Sequence, residues 1–501
     1  MPTTKVKYEQ RLSKSKVVLG MQCEKALYLT IYKPELAGEV SDSQQMIFDQ
    51  GHEVGVFAQK GFPKGVVVDA AYNQTKLALE QTKNAIKAGA LSIFEATFEF
   101  QDVLVKVDIL NRKNAKSNWE IIEVKSSTDV KDVHIKDAAI QLWVLRGAGL
   151  KVSKVLVQHI NNQCVFPDLK NLFTDKDVTD ECEDLHKEIP SIVSKFQKML
   201  GKDEPKADIG PHCSDPYPCA FTEHCFGKCK IPEVSVFDIP RLSSDKKWQF
   251  YRDGKVELRK LDSSEFNASQ KRMIEHTLAN KRFVDPASIK KEISKWEYPL
   301  SFLDFETIAY AIPRFDGIRP YQQLPFQFSC HILKSQKSKL THVEYLHLNN
   351  TDPREAIAKA LVELVPEEGS VVAYNMGFEK MVLTGLADQF PKLAKKLRAI
   401  AARLVDPLTI FRAHVYDPKF AGSFSIKSVA PALLGKAASY DGMKVGGGTE
   451  AQSAFVEMIA SSTSEEKRND LKNGLLEYCK KDTFGMVELV GWLWENSVER
   501  R

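Results

Sequence analysis

The sequence predicts an α/β chain in which two sheet-bearing domains are joined by a small helical bridge, and three observations carry this. Between Val103 and Ile160 the pattern runs strand, strand, helix, strand, the order of a mixed sheet with a crossover helix. From Tyr298 onward a buried strand and a later short strand precede a long closing helix. The length, 501 residues, leaves room for about three units at roughly 150 residues each. The expected boundaries are 1–230, 231–295 for the bridge, and 296–501.

Composition supports a globular chain. Hydrophobic residues make up 43% and charged residues 27%, which excludes collagen-like, largely disordered and disulfide-scaffold classes. No apolar run approaches the ~18–20 residues of a membrane span. Met1 to Gln10 is polar and lacks an apolar targeting core, so a cytoplasmic protein without membrane partners is expected. Lys and Arg total 70 against 66 Asp and Glu, a net +4. That excess is too mild to single out a nucleic-acid binder, although acidic metal sites would cancel a basic groove in the sum.

Taken in order, Val103, Val105, Val107 and Ile109 alternate with Leu104, Lys106 and Asp108, the two faces of one strand. Trp119 to Lys125 is a second strand, Val133 to Gly147 a helix with Ala138, Ala139, Leu142 and Trp143 for packing, and Lys154 to Ile160 a third strand. The bridge is charged and helical, with Trp248, Phe250 and Tyr251 for a small core and turns at Asp253-Gly254 and Asp285-Pro286. Further on come strands at Tyr298–Thr307 and Ser370–Tyr374, a helix at Asp470–Glu495, and a flexible loop at Gly446-Gly447-Gly448. Gly422 to Ser428 approaches a P-loop but lacks a glycine before Lys427, so no phosphate nest and no ATPase are assigned.

Three sets of residues carry chemistry. In the first, Glu123 and Lys125 are two apart on a strand and share a face, and Asp108 lies on a strand able to pair with it. Two carboxylates there can hold Mg²⁺ or Mn²⁺, while the lysine positions a water or stabilises charge on a phosphate under attack. Gln141 on the next helix and His52 are accessories, the imidazole completing a metal shell. A surface salt bridge is the plain alternative for these three charges.

The second set is Cys213, Cys219, Cys225 and Cys229, crowded among nine cysteines in a chain with no sign of secretion. Four thiolates bind an iron–sulfur cubane or Zn²⁺. Zinc knuckles favour C-x₂₋₄-C, and two successive five-residue gaps suit a loop around a larger object. The segment Leu12 to Tyr28, with Cys23 ahead of a helix, resembles the opening of the RecB-like, CRISPR-associated exonuclease family, whose core belongs to the PD-(D/E)XK superfamily. The resemblance implies that Cys23, Cys213, Cys219 and Cys225 hold a [4Fe–4S] cluster, with Cys229 a rival ligand. It also implies that Asp108, Glu123 and Lys125 are the catalytic set, assisted by His52 and Gln141. Two features depart from the family: the late cysteines are more widely spaced, and Leu145 stands where a Q-x₃-Y motif has tyrosine.

The third set begins with Asp304 and Glu306, i and i+2 on an apolar strand between Leu303 and Phe305. Two acids facing one way there are costly unless a cation lies between them. Tyr478 and Asp482 are i, i+4 on a helix, and Asn375 to Glu379 offers another acid where a strand end runs into a helix. The ordered set resembles the Tyr-type DEDD exonucleases of the DnaQ-like, ribonuclease-H-fold superfamily, and Ser423 to Ala430 is similar to a segment those enzymes carry between their last two motifs. The resemblance implies that Asp304, Glu306, Glu379 and Asp482 hold two metals while Tyr478 orients the attacking water. Glu379 replaces the family's aspartate, with Asp406 the fallback acid.

As a whole the chain resembles a bacterial family that joins a RecB-like iron–sulfur nuclease to a DnaQ-like exonuclease. The resemblance implies a metal-dependent nuclease acting on ends or single strands of DNA, in repair or in defence against foreign DNA. Lysines such as Lys14, Lys16 and Lys125 would steer phosphates. Trimming of RNA, or a decayed nucleic-acid clamp, are the alternatives.

Overall fold

The computed structural model describes residues 11–71 and 73–498, so the expectation drawn from Met1 to Gln10 lies outside the described residues. The protein is mixed α/β and forms two compact units, one of residues 1–230 with Tyr310–Tyr321, the other of 231–309 with 322–501. Among the described residues no helix is long and apolar enough to cross a membrane.

The first unit is built on a seven-stranded mixed sheet: β1 (Leu12–Ser13), β2 (Val66–Val67), β3 (Ser92–Phe100), β4 (Val103–Asn111), β5 (Trp119–Lys125), β6 (Val152–Ile160) and β7 (Phe173–Asp177). Strands β3, β4 and β5 run antiparallel in sequence, β6 returns parallel to β5, and β1 pairs parallel with the start of β4. A parallel return needs a crossover, and helix Asp132–Gly147 supplies it. Its buried Ala138, Ala139, Leu142, Val144 and Leu145 pack with Val103, Val105 and Val107 of β4. The β3–β4 hairpin closes through Gln101 and Asp102, both at positive φ, as a two-residue primed turn requires. Neither residue is glycine, and the strand before Val103 is an element beyond those expected, although Phe94, Ala96, Phe98 and Phe100 alternate with Glu95, Thr97 and Glu99 along it. Tyr310–Tyr321, which leaves the chain between two strands of the second unit, packs Ala311 and Ile312 with Val54, Ile160 and Leu172.

In the second unit, β8 (Phe283–Val284) pairs with β14 (Val415–Tyr416), while β9 (Leu300–Ile308), β10 (Leu324–Leu333), β11 (Thr341–Leu346), β12 (Val371–Val372) and β13 (Leu404–Val405) form a five-stranded sheet in the order β11-β10-β9-β12-β13. Side chains alternate on β9. Leu303 and Phe305 face helices Arg354–Leu364, Gly377–Gln389 and Ala394–Ala402. Phe302, on the opposite face, meets Met486 and Val490 of helix Glu465–Glu495, which begins five residues before the expected Asp470. The residues expected to form a separate bridge are part of this unit. Val236, Phe250, Leu258, Met273 and Ile289 share one core with Leu408, Phe411, Val429 and Leu489. Gly446 to Gly448, expected as a flexible loop, leads into helix Gly448–Ile459 with Gly447 as its N-cap.

Candidate functional site

In the first unit β4 and β5 carry Asp108 and Glu123 to one spot. The Val124 backbone N–H donates to Asp108 Oδ2 at 2.7 Å. Glu123 is buried, and its Oε1 accepts from Lys125 at 2.8 Å and from Lys14 at 2.6 Å. Its Oε2 accepts from Gln141 Nε2 at 2.5 Å, whereas Gln141 Oε1 is buried with no hydrogen-bond partner among the described residues. Lys125 also bonds Asp137 Oδ2 at 2.7 Å. Burial and the neighbouring Glu123 push the Asp108 carboxyl up to about 7. Burial works the same way on Glu123, but Lys125 and Lys14 outweigh it and hold that carboxyl well below its ordinary range. The same burial thus leaves the two carboxyls shifted in opposite directions, because the ammonium groups bond Glu123 and not Asp108.

His52 stands exposed on helix Asp42–Gln59, without a hydrogen bond to Asp108 or Glu123, and its charge bears on Glu95. Leu145 is fully buried in the core, so the position expected to hold an auxiliary tyrosine faces the sheet. Lys14, expected to steer phosphates, is engaged by Glu123. Asp137 and Glu95 were not foreseen. Asp137 is four residues before Gln141 and so on its face of the helix, a signal that was legible. Glu95 lies between the register pairs Phe94–Ile109 and Ala96–Val107, opposite Asp108, with φ of 57°. Finding it required the hairpin.

The cysteines from the two ends of the unit meet. Cys23, Cys213, Cys219 and Cys225 line one small cavity together with Ala26, Leu29 and Phe221. Burial raises the thiols of Cys213, Cys219 and Cys225, and charge on Cys23 would raise all three further. The Gly210 N–H donates to Cys213 Sγ at 3.5 Å. Cys229, the rival, caps helix Thr222–Lys228, is not among the residues lining the cavity, and reaches Asp208 Oδ1 at 3.8 Å.

In the second unit, Asp304 and Glu306 share the β9 face that meets helix Glu465–Glu495, from which Tyr478, Cys479 and Asp482 project. Ligand atoms of Asp304, Glu306 and Cys479 all lie within 4.8 Å of one another. Burial, then the negative charges of Asp482, Glu306 and Glu379, holds Asp304 well above the usual carboxylate range. Burial and Asp482 do the same to Glu306. Glu379, buried in the first turn of helix Gly377–Gln389, is pushed up to about 7 chiefly by burial, and its Oε2 has no hydrogen-bond partner among the described residues. Tyr440 donates to Asp482 Oδ1 at 2.5 Å, and the Tyr440 and Tyr478 hydroxyls offset part of the rise that burial imposes on Asp482. Lys427 Nζ lies 5.1 Å from the Tyr440 ring centroid and 5.2 Å from that of Tyr478. Asp406, the fallback acid, instead caps helix Pro407–His414, accepting from Leu408 N at 2.9 Å and Asn375 N at 3.0 Å.

Residues 301–425 match the family model described as a domain of unknown function, DUF2779. No curated protein matches the chain. The DUF2779 segment carries Asp304, Glu306 and Glu379, while Tyr478 and Asp482 lie beyond it. Tyr440 and Cys479, also beyond it, are residues of this site that sequence reasoning misses. Cys479 comes directly after Tyr478, but nothing in its spacing distinguishes it from a packing thiol.

Proposed function

We propose that this protein is a metal-dependent nuclease that hydrolyses phosphodiester bonds of DNA at ends or in single strands, with one candidate site in each unit. One observation carries the reading. Asp304, Glu306, Glu379 and Asp482 come from three elements to a common buried surrounding that raises all four carboxyls. Like charges held this close destabilise the fold unless protons or cations join them. The orphaned Glu379 Oε2 and the converging oxygens of Asp304 and Glu306 fit a hard divalent ion.

When bound, Mg²⁺ or Mn²⁺ supplies a nucleophilic water at neutral pH and neutralises the phosphate. The residues do the rest. Asp304, Glu306, Glu379 and Asp482 would hold the ions, with Tyr440 fixing the Asp482 carboxylate. Tyr478 would orient the attacking water. In the first unit Asp108 and Glu123 would hold metal, Gln141 would set the Glu123 rotamer, and Lys125 would stabilise the developing negative charge.

Cys23, Cys213, Cys219 and Cys225 would hold a [4Fe–4S] cluster that ties the start of the first unit to its end. Zinc is the competing occupant.

Purified protein with Mn²⁺ should degrade end-labelled single-stranded DNA. Lys125→Ala and Asp304→Ala should each remove one component of that activity, and matched RNA strands test the ribonuclease alternative. Intact substrate in every arm, with retained binding, would overturn catalysis and leave the clamp.

A further inference from the structure

Beside Asp108 the first unit contains a cavity of about 320 Å³, walled by the chain from Arg11 to Lys16 and by Lys106 and Asp108 of β4. The parallel pairing of Leu12 with Val103 and Ser13 with Leu104 fixes these two segments side by side. Four cations therefore border one hollow, and their counter-charges are unequal. Arg11 pairs with Glu99 at 2.9 Å and Lys14 with Glu123 at 2.6 Å. The Lys16 ammonium donates, among the described residues, to the Arg11 carbonyl at 3.2 Å. Among the described residues neither Lys16 nor Lys106 has a carboxylate within ion-pair distance, although Glu95 senses Lys106 at longer range.

Both lysine side chains are half-buried, and a partly screened ammonium without a paired acid attracts an incoming anion. The two ammonium groups match a group of charge about −1.5 to −2, which a phosphomonoester carries at neutral pH, better than the single charge of an internal phosphodiester. Asp108, the acid on this wall, belongs to the candidate catalytic set.

We propose that this cavity binds the terminal phosphate of a nucleic-acid strand, with Lys16 and Lys106 as its ligands, so that the first unit selects strands by a phosphorylated end. The inference rests on reading Asp108 and Glu123 as a nuclease site, and it adds the substrate class: 5′- or 3′-phosphorylated ends over hydroxyl ends.

The test uses the full chain in EDTA, so that no strand is cut, and three short single-stranded oligonucleotides of one sequence with a 5′-phosphate, a 3′-phosphate, or hydroxyls at both ends. At constant ionic strength, wild type should bind one phosphorylated strand about tenfold more tightly than the hydroxyl-ended strand. Inorganic phosphate should erase that difference. In Lys16→Gln/Lys106→Gln the preference should shrink to within about twofold. Equal affinity for all three strands in wild type overturns the proposal, as does a preference that persists in the double variant. The wild-type comparison stands even if the variant folds poorly. Cleavage with Mn²⁺ by Asp304→Ala, which leaves only the first unit's site intact, that ignores end phosphorylation sinks this inference alone, whereas end discrimination without cleavage supports it and sinks only the nuclease reading.

Discussion

Asp108 and Glu379 both have carboxyls raised to about 7, chiefly by burial. Each folded value lies above the ordinary carboxylate range, so the folded state holds protons that the unfolded chain releases. Without metal, their contribution to stability is therefore lost as pH rises from about 4 to about 7. A divalent ion competes with those protons, so its affinity should rise by up to about tenfold per pH unit for each proton displaced below pH 7. Calorimetric Mn²⁺ titrations at about pH 6 and about pH 8 measure this, and equal affinities would contradict it. Tyr478→Phe keeps the ring beside Tyr440 but removes its hydroxyl. Turnover at the second site should fall on the order of 10²-fold with the melting temperature nearly unchanged. At this scale Asp304, Glu306, Tyr478 and Asp482 were legible because i, i+2 on a strand and i, i+4 on a helix fix a shared face. Tyr440 was not, since it reaches Asp482 across 42 positions of sequence.

Elements show the same division. The crossover helix could be read from its position between two strands, and its inward face from Ala138, Ala139 and Leu142. Leu145 lies on that inward face, fully buried. Leu145→Tyr should therefore not restore an auxiliary DNA contact. It should overpack the core and destabilise the first unit by about 1–3 kcal/mol, readable in urea denaturation. The β3–β4 hairpin lacks the usual sequence signal because its turn uses Gln101 and Asp102 at positive φ, where glycine or asparagine is common, although Phe94, Ala96, Phe98 and Phe100 alternate along β3. Gly422 is a different case. Its φ is 80°, and a Cβ there would overlap the Asp238 carbonyl, so Gly422→Ala should cost more than the ~1 kcal/mol of an ordinary loop change.

Across the whole molecule, the two units have separate cores and should lose structure in separable steps. If the cysteines hold a cluster, Cys213→Ser should lower the calorimetric transition of the first unit and spare that of the second. Anaerobically purified wild type should be brown and contain about four irons per chain. Colourless protein with stoichiometric zinc would defeat the iron assignment while leaving the carboxylate sites untouched. The boundary near residue 230 was readable from the end of the cysteine run. The expected bridge is inseparable from the rest of the second unit, because its apolar residues complete a core supplied by distant helices.

Periodicity and spacing in the sequence determined which side chains share a face, since those relations are local and set by backbone geometry. Tertiary structure alone decided which faces meet: Lys14 with Glu123, Tyr440 with Asp482, Cys23 with the late cysteines. Such meetings depend on sheet register and core packing, which sum contributions from the entire chain and leave no mark at any single position.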